Sequence, residues 1–187
     1  MHSLLIKNVI AHTCVRFGQT KVVRKEGDSL RTFAVIQGLP VIEMEAGNEC
    51  GRVIDLLMYN NQITGLLVDM RGWLNRHRFL LLENVSSIGE QAVMIRSKDD
   101  LEACQSHDAF ETSISLTVGR QKLKGMELLS EKGTLLGLVE DVYFHENVGT
   151  IVGYKVTDGL LADLTTGQQM YSGQQLVIGK ERAILSN

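Results

Sequence analysis

Apolar positions along the chain fall into short runs of strand length, each closed by glycine, asparagine or a charged residue. Residues 51–59 (Gly-Arg-Val-Ile-Asp-Leu-Leu-Met-Tyr) and 63–70 (Ile-Thr-Gly-Leu-Leu-Val-Asp-Met) flank Asn60-Asn61-Gln62, the composition of two strands joined by a tight turn. The same pattern predicts strands at 41–43, 79–82 and 92–96, with a turn at Ala46-Gly47-Asn48. Five short strands with turns this tight suit a small antiparallel β-barrel, which buries its core by curling and removes most open edges. Gly51 and Gly137 are expected at bends where such a sheet folds over itself.

That unit occurs twice. Gly47 and Gly51 lead to Val53 and Asp55, as Gly133 and Gly137 lead to Val139 and Asp141; both stretches read Gly-x-x-x-Gly-x-Val-x-Asp. Gly65 in Ile-Thr-Gly-Leu-Leu-Val matches Gly153 in Ile-Val-Gly-Tyr-Lys-Val, and Ile88-Gly89 matches Ile178-Gly179. Asp55 and Asp141 are 86 residues apart, Gly65 and Gly153 88, and Gly89 and Gly179 90, the slow drift that loop-length changes produce. The chain is therefore mainly β, two small barrels in tandem at 30–97 and 122–187. Residues 98–121 form the linker between them, and a short helix is expected to start there at a Ser97 cap, with Asp99 and Asp100 in its first turn, and run to about 105.

Carried by these glycine and valine positions, both copies resemble the PRC-barrel superfamily, named after the H subunit of the photosynthetic reaction centre and found also at the carboxyl end of a ribosome maturation factor. The arrangement looks most like the two-barrel members of endospore-forming bacteria. The resemblance implies the fold strongly and the function weakly, because its motif is structural. It implies adaptor roles: organising a membrane complex, docking on a ribosomal protein or joining division machinery. This chain lacks the reaction-centre subunit's membrane helix and the maturation factor's separate amino-terminal domain, so neither partner carries over.

Residues 1–29 read differently from the barrels. Lys7, Asn8 and His12 interrupt their apolar residues, so no secretory signal emerges. Lys25-Glu26-Gly27 can be encoded around AAGGAG, a bacterial ribosome-binding sequence, and Leu30 by TTG, an alternative start codon. Residues 1–29 are on this reading a translated leader ahead of a start at Leu30; a genuine flexible or amphipathic extension is the other reading.

Charge and composition narrow the function. No apolar run reaches the roughly 18 residues that span a bilayer, which excludes an integral membrane helix. Nineteen basic against 22 acidic residues give a net charge of −3, and leaving out the five basic and two acidic residues of 1–29 makes the body more acidic still. That sign disfavours whole-surface binding of nucleic acid. Cys14, Cys50 and Cys104 are widely spaced, with no histidine at metal spacing, so reduced thiols in a cytoplasmic protein, no metal and no cofactor are expected. The dispersed glycines precede strands, not helices, which removes the phosphate-loop reading.

Asp55 and Asp141 invite an acid–base reading, but neither has a histidine or second carboxylate at motif spacing, so they are expected to accept hydrogen bonds from a neighbouring turn. Chemistry of contact concentrates instead in 71–78, where Arg71, Trp73, Arg76, His77 and Arg78 gather the only tryptophan with three arginines. Tryptophan and arginine together are the composition of an interface hot spot or of a phosphate-contacting tip; a Trp73 folded over the barrel end beside solvated arginines is the alternative. The equivalent stretch 158–167 is acidic and apolar, so the copies have diverged and contact different things. The expected function is a non-enzymatic adaptor with no catalytic residues, docking a protein partner through that loop, with homodimerisation as a further use of the diverged surfaces. Attachment to RNA or the ribosome through the same arginines, and a peripheral place in a membrane electron-transfer or division complex, are the alternatives.

Overall fold

A computed structural model describes residues 30–70, 77–104, 110, 113–119, 122–157, 169–172 and 175–186. Its elements in chain order are β1 (Leu30–Thr32), α1 (Phe33–Ile36), β2 (Pro40–Glu43), β3 (Glu49–Tyr59), β4 (Gln62–Met70), β5 (His77–Leu81), β6 (Val85–Ile88), β7 (Val93–Ile95), β8 (Leu101–Ala103) and β9 (Ile114–Ser115). The second copy follows as β10 (Glu127–Ser130), β11 (Leu135–His145), β12 (Ile151–Thr157), β13 (Gln169–Tyr171), β14 (Gln175–Ile178) and β15 (Arg182–Ser186). One sheet runs β6-β7-β2-β3-β4-β5-β8 and the other β13-β12-β11-β10-β15-β14. The mainly β fold in two barrel-like units is as the repeat requires. One pairing in each departs from a purely antiparallel barrel: β2 lies parallel to β7, and β10 to β15. A strand that closes a curled sheet from its far end meets the first strand without a hairpin, and its direction is then free to be parallel.

The duplication extends to irregularities. Register shifts occur at Val41/Ile42, Val53/Asp55 and Leu57/Met58, and again at Leu128/Leu129, Val139/Asp141 and Tyr143/Phe144. The bulge before each aspartate has a consequence for it. Val53 points into the core, and beyond the extra residue the core positions become Leu56 and Met58, so inward parity flips and Asp55 turns to the opposite face. Val139, then Val142 and Phe144, repeat the flip around Asp141.

The glycines serve close approach of strands more than bending. A Cβ on Gly51 would meet the Asp69 carbonyl and the Val68 side chain; on Gly137 it would lie 2.6 Å from both Thr157 O and Val156 Cγ1. Strand β4 or β12 thus presses on a backbone that only glycine leaves bare.

Among the described residues, two segments cross between the halves. β1, which the repeat pattern places at the start of the first barrel, stands outside and ahead of that barrel's sheet and pairs with β11 of the second: Arg31 faces Phe144 and Thr32 faces Tyr143. β9, which precedes the second barrel, pairs with β3 of the first: Ser115 faces Leu57 and Ile114 faces Met58. α1 continues from β1 and packs against both β3 and β11, burying Phe33 and Ile36 between the halves. At about 2–3 kcal/mol for each fully buried large side chain, those two residues hold the crossing segment more firmly than its short helix could. One hydrophobic cluster therefore runs from Phe33 through Val53 and Leu123 to Leu185 without a break between barrels.

The hairpin tips complete the join. The Ile63 N–H donates to Gly149 O (2.8 Å) and the Ile151 N–H to Asn61 O (3.1 Å), a reciprocal pair related by the repeat. Asn60 and Asn61 have φ of 47° and 61°, the type I′ geometry that asparagine tolerates in a two-residue turn. Asn61 also accepts from the Tyr154 hydroxyl (2.7 Å) and donates to Ile151 O (3.2 Å). Burial pushes the Tyr154 phenol well above its ordinary value, so the folded protein keeps that proton while the unfolded chain releases it near pH 10. Stability is then whole below about pH 10 and falls as pH rises beyond it. Denaturant midpoints measured from pH 9 to 11.5 are expected to decline, and the decline is expected to be shallower in Tyr154→Phe.

The expected helix after Ser97 shrinks to a single 3-10 turn, Lys98–Asp100, before β8 begins. Its cap forms as the sequence implies: Ser97 Oγ accepts from the Asp99 N–H (3.2 Å) and Asp100 returns a bond to the Ser97 N–H (3.0 Å). Leu101 then turns inward as the first residue of β8, paired with Leu80 of β5, which ends the helix early. What the repeat pattern marks as linker thus supplies β8 and β9 to the first sheet.

Candidate functional site

Both repeated aspartates lie where the segments cross. The Phe33 and Ala34 N–H groups donate to Asp141 Oδ1 (3.0 Å) and Oδ2 (2.9 Å), and the Val142 N–H donates to Oδ1 (2.8 Å). In the first barrel the Thr117 N–H and hydroxyl (both 2.8 Å) and the Leu56 N–H (2.8 Å) donate to Asp55 Oδ1, and the Val118 N–H to Oδ2 (2.9 Å). Asp55 is fully buried and Asp141 nearly so. Each carboxylate satisfies the backbone of a segment that leaves a strand and would otherwise bury bare N–H groups. The donors are not in a neighbouring turn, as the sequence suggested. Apart from the adjacent Leu56 and Val142, they lie 62–63 and 107–108 residues away, in the segments that precede the opposite barrel.

Both oxygens of each carboxylate accept from backbone donors, and both side chains are buried. The arrangement works as a pair of clamps. Arg31 adds to the second: its Nε donates to Glu146 (2.6 Å) and its Nη2 to Ile88 O of the first barrel (2.8 Å). Phe33, Ala34, Thr117, Val118 and Arg31 are thus functional in holding the two barrels together, and sequence reading passed over all five. A signal was present: the Asp-bound pairs Phe33-Ala34 and Thr117-Val118 sit 84 residues apart, close to the repeat offset.

Of the predicted contact loop, Arg71, Trp73 and Arg76 lie outside the described residues, as does the acidic stretch 158–167. His77 and Arg78 open β5, opposite Asp69 and Val68. His77 Nε2 is 3.6 Å from Asp69 Oδ1, both side chains about half exposed, an ion pair once the imidazole is protonated. Cys104 Sγ donates to His77 O (3.4 Å), and burial raises its thiol while Arg78 opposes the rise. As consecutive residues of one strand, His77 and Arg78 point to opposite faces of the sheet.

Cys50 lies inside β3 and is buried; burial pushes its thiol up and the Glu43 charge adds to that. Gly47 and Gly133 hold equivalent positive φ values of 68° and 77°, and Gly65 and Gly153 face the strands β5 and β13 that press on them. An open groove of about 330 Å³ lies at the join, between Ile63, Leu81 and Leu82 of the first barrel and Asn147 and Val148 of the second, with Glu83 at its edge. Among the described residues no group of three histidine, cysteine or acidic side chains is placed to hold a metal ion, and no helix is long and apolar enough to cross a membrane.

Residues 117–183 match the family model for the PRC-barrel domain. The chain is also similar to the uncharacterized protein YrrD of Bacillus subtilis (strain 168), 28% identical over 174 residues, covering 90% of this chain and 92% of that one.

Proposed function

We propose that this PRC-barrel protein is a non-enzymatic cytoplasmic adaptor that docks a protein partner through the loop at residues 71–78. The observation that carries the reading is the use of the two repeated carboxylates: they are consumed as clamps on crossing segments, which turns two marginal small barrels into one stiff body. A stiff body with diverged loops suits presentation of a contact surface, since less freedom is lost on binding. The composition of the loop supports the same use. Arg71, Trp73 and Arg76 belong to the residue types that dominate interface energetics, and His77 and Arg78 anchor the loop on a buried strand.

The test is affinity capture with the full chain and with Trp73→Ala/Arg76→Ala, the melting temperature of the variant being matched to wild type first. Loss of a specific captured protein from the variant supports the reading, and an unchanged set of partners overturns it. Co-sedimentation with ribosomes that weakens steeply with added salt would instead assign the arginines to RNA phosphates.

A further inference from the structure

The outer face of the second sheet carries a row that the first sheet does not. Across β11, β10, β15 and β14, Leu135 stands opposite Leu129, Leu129 opposite Ile184, and Ile184 opposite Val177. Residues directly opposite share a face, and the alternate positions Leu128 and Ala183 are buried, so this row points outward. Val177 is 53% exposed, Leu135 57% and Ile184 41%. The equivalent row of the first sheet, through the same pairings and bulge, is Glu49, Ile42, Met94 and Ser87. Duplication has thus left two polar ends on one face and apolar residues throughout on the other. Isolated exposed apolar residues need no explanation, whereas four side by side in one row form a contiguous apolar patch of the kind found at contact surfaces.

The charges beside the row indicate what covers it. One outward position away, Glu127 on β10 stands opposite Arg182 on β15, joined at 2.7 Å and well exposed. β10 and β15 run parallel, so these two opposite charges lie at the same height on neighbouring strands. A two-fold axis running along the strands, midway between β10 and β15, lays each β10 over the β15 of a second copy. Glu127 then faces Arg182, Leu129 faces Ile184 and Leu135 faces Val177, each pair formed twice. In the first sheet Pro40 stands at the place of Glu127 and Ala92 at that of Arg182, so the same superposition gains no charge pairing there.

We propose that this face is a self-association surface, and that its occupant is a second copy of the chain packed about that axis. It goes beyond the adaptor reading and does not depend on it. Four strands about 4.8 Å apart carrying these two outward rows make an interface well under roughly 1,200 Å² in total, the weak and transient class, so association is expected in the tens of micromolar at the tightest.

Sedimentation equilibrium of the full chain from about 5 to 300 µM tests it. Wild type is expected to approach twice the monomer mass at the upper end, and Ile184→Lys to remain monomeric. Glu127→Arg and Arg182→Glu alone place like charges across the axis, and each is expected to associate at least about tenfold more weakly. An equimolar mixture of those two variants restores opposite charges between copies while leaving the pair within each chain broken. It is expected to associate within about threefold of wild type, a rescue that an effect on folding alone cannot produce. A wild type monomeric at all concentrations, an unimpaired Ile184→Lys, or a mixture no tighter than its components would overturn the proposal. So would wild type that stays monomeric yet binds anionic phosphatidylglycerol vesicles through Ile184, which would give the face to lipid.

Discussion

Replacing Asp55 with alanine is expected to lower the free energy of unfolding by about 5 kcal/mol, and replacing Asp141 by about 4 kcal/mol. The figures follow from what each deletion strands. Asp55 accepts from three backbone N–H groups and the Thr117 hydroxyl, and Asp141 from three backbone N–H groups. A buried donor without a partner costs about 1–3 kcal/mol, and the bonds lost are to a charged acceptor, at the stronger end of the range. For a chain of this size that corresponds to a fall in melting temperature of at least about 10 °C. The asparagine variants, which keep one acceptor oxygen and aim an amide at the remaining donor, are expected to lose less, about 2–3 kcal/mol. Equilibrium denaturation of the four variants checks the order; an alanine variant within about 1 kcal/mol of wild type would mean that water replaces the carboxylate without loss.

The second large effect is expected at Gly137. Its φ of 131° lies in a region that residues with a Cβ rarely adopt, and an added Cβ would stand 2.6 Å from Thr157 O, an atom of the backbone that cannot rotate away. Strain of about 1–3 kcal/mol from the dihedral combines with about 1–3 kcal/mol from forced separation of β11 and β12. Gly137→Ala should therefore cost about 2–6 kcal/mol. Gly133→Ala has a positive φ of 77° but nothing near its Cβ, so it should cost about 1–2 kcal/mol. The difference between the two, read by thermal melts, separates crowding from dihedral strain.

The sequence made the local parts of this fold legible. Strands β2, β3, β4, β5 and β7 lie within a residue or two of the runs that mark them, because an apolar run closed by a turn is a local signal. The repeat was legible because its glycines answer to backbone crowding that each barrel must solve in the same way. The crossing segments were not. Leu30–Thr32 and Ile114–Ser115 are too short to show alternation, and their partners lie in the other half of the chain. The structural role of Asp55 and Asp141 is legible in the sequence but their distant donors are not, since sequence carries no measure of which remote N–H a buried carboxylate meets. The row Leu129, Leu135, Val177 and Ile184 was equally hidden, because residues on four strands become neighbours only through sheet register.

Each barrel holds the segment that precedes the other. Native-state hydrogen exchange on wild type and Asp141→Asn tests it most directly. In wild type the amides of Phe33, Ala34, Thr117 and Val118 should all be protected. In the variant Phe33 and Ala34 should exchange far faster while Thr117 and Val118, clamped by Asp55, stay slow. Equal acceleration of all four amides, or no protection of Phe33 and Ala34 in wild type, would contradict the exchange of segments.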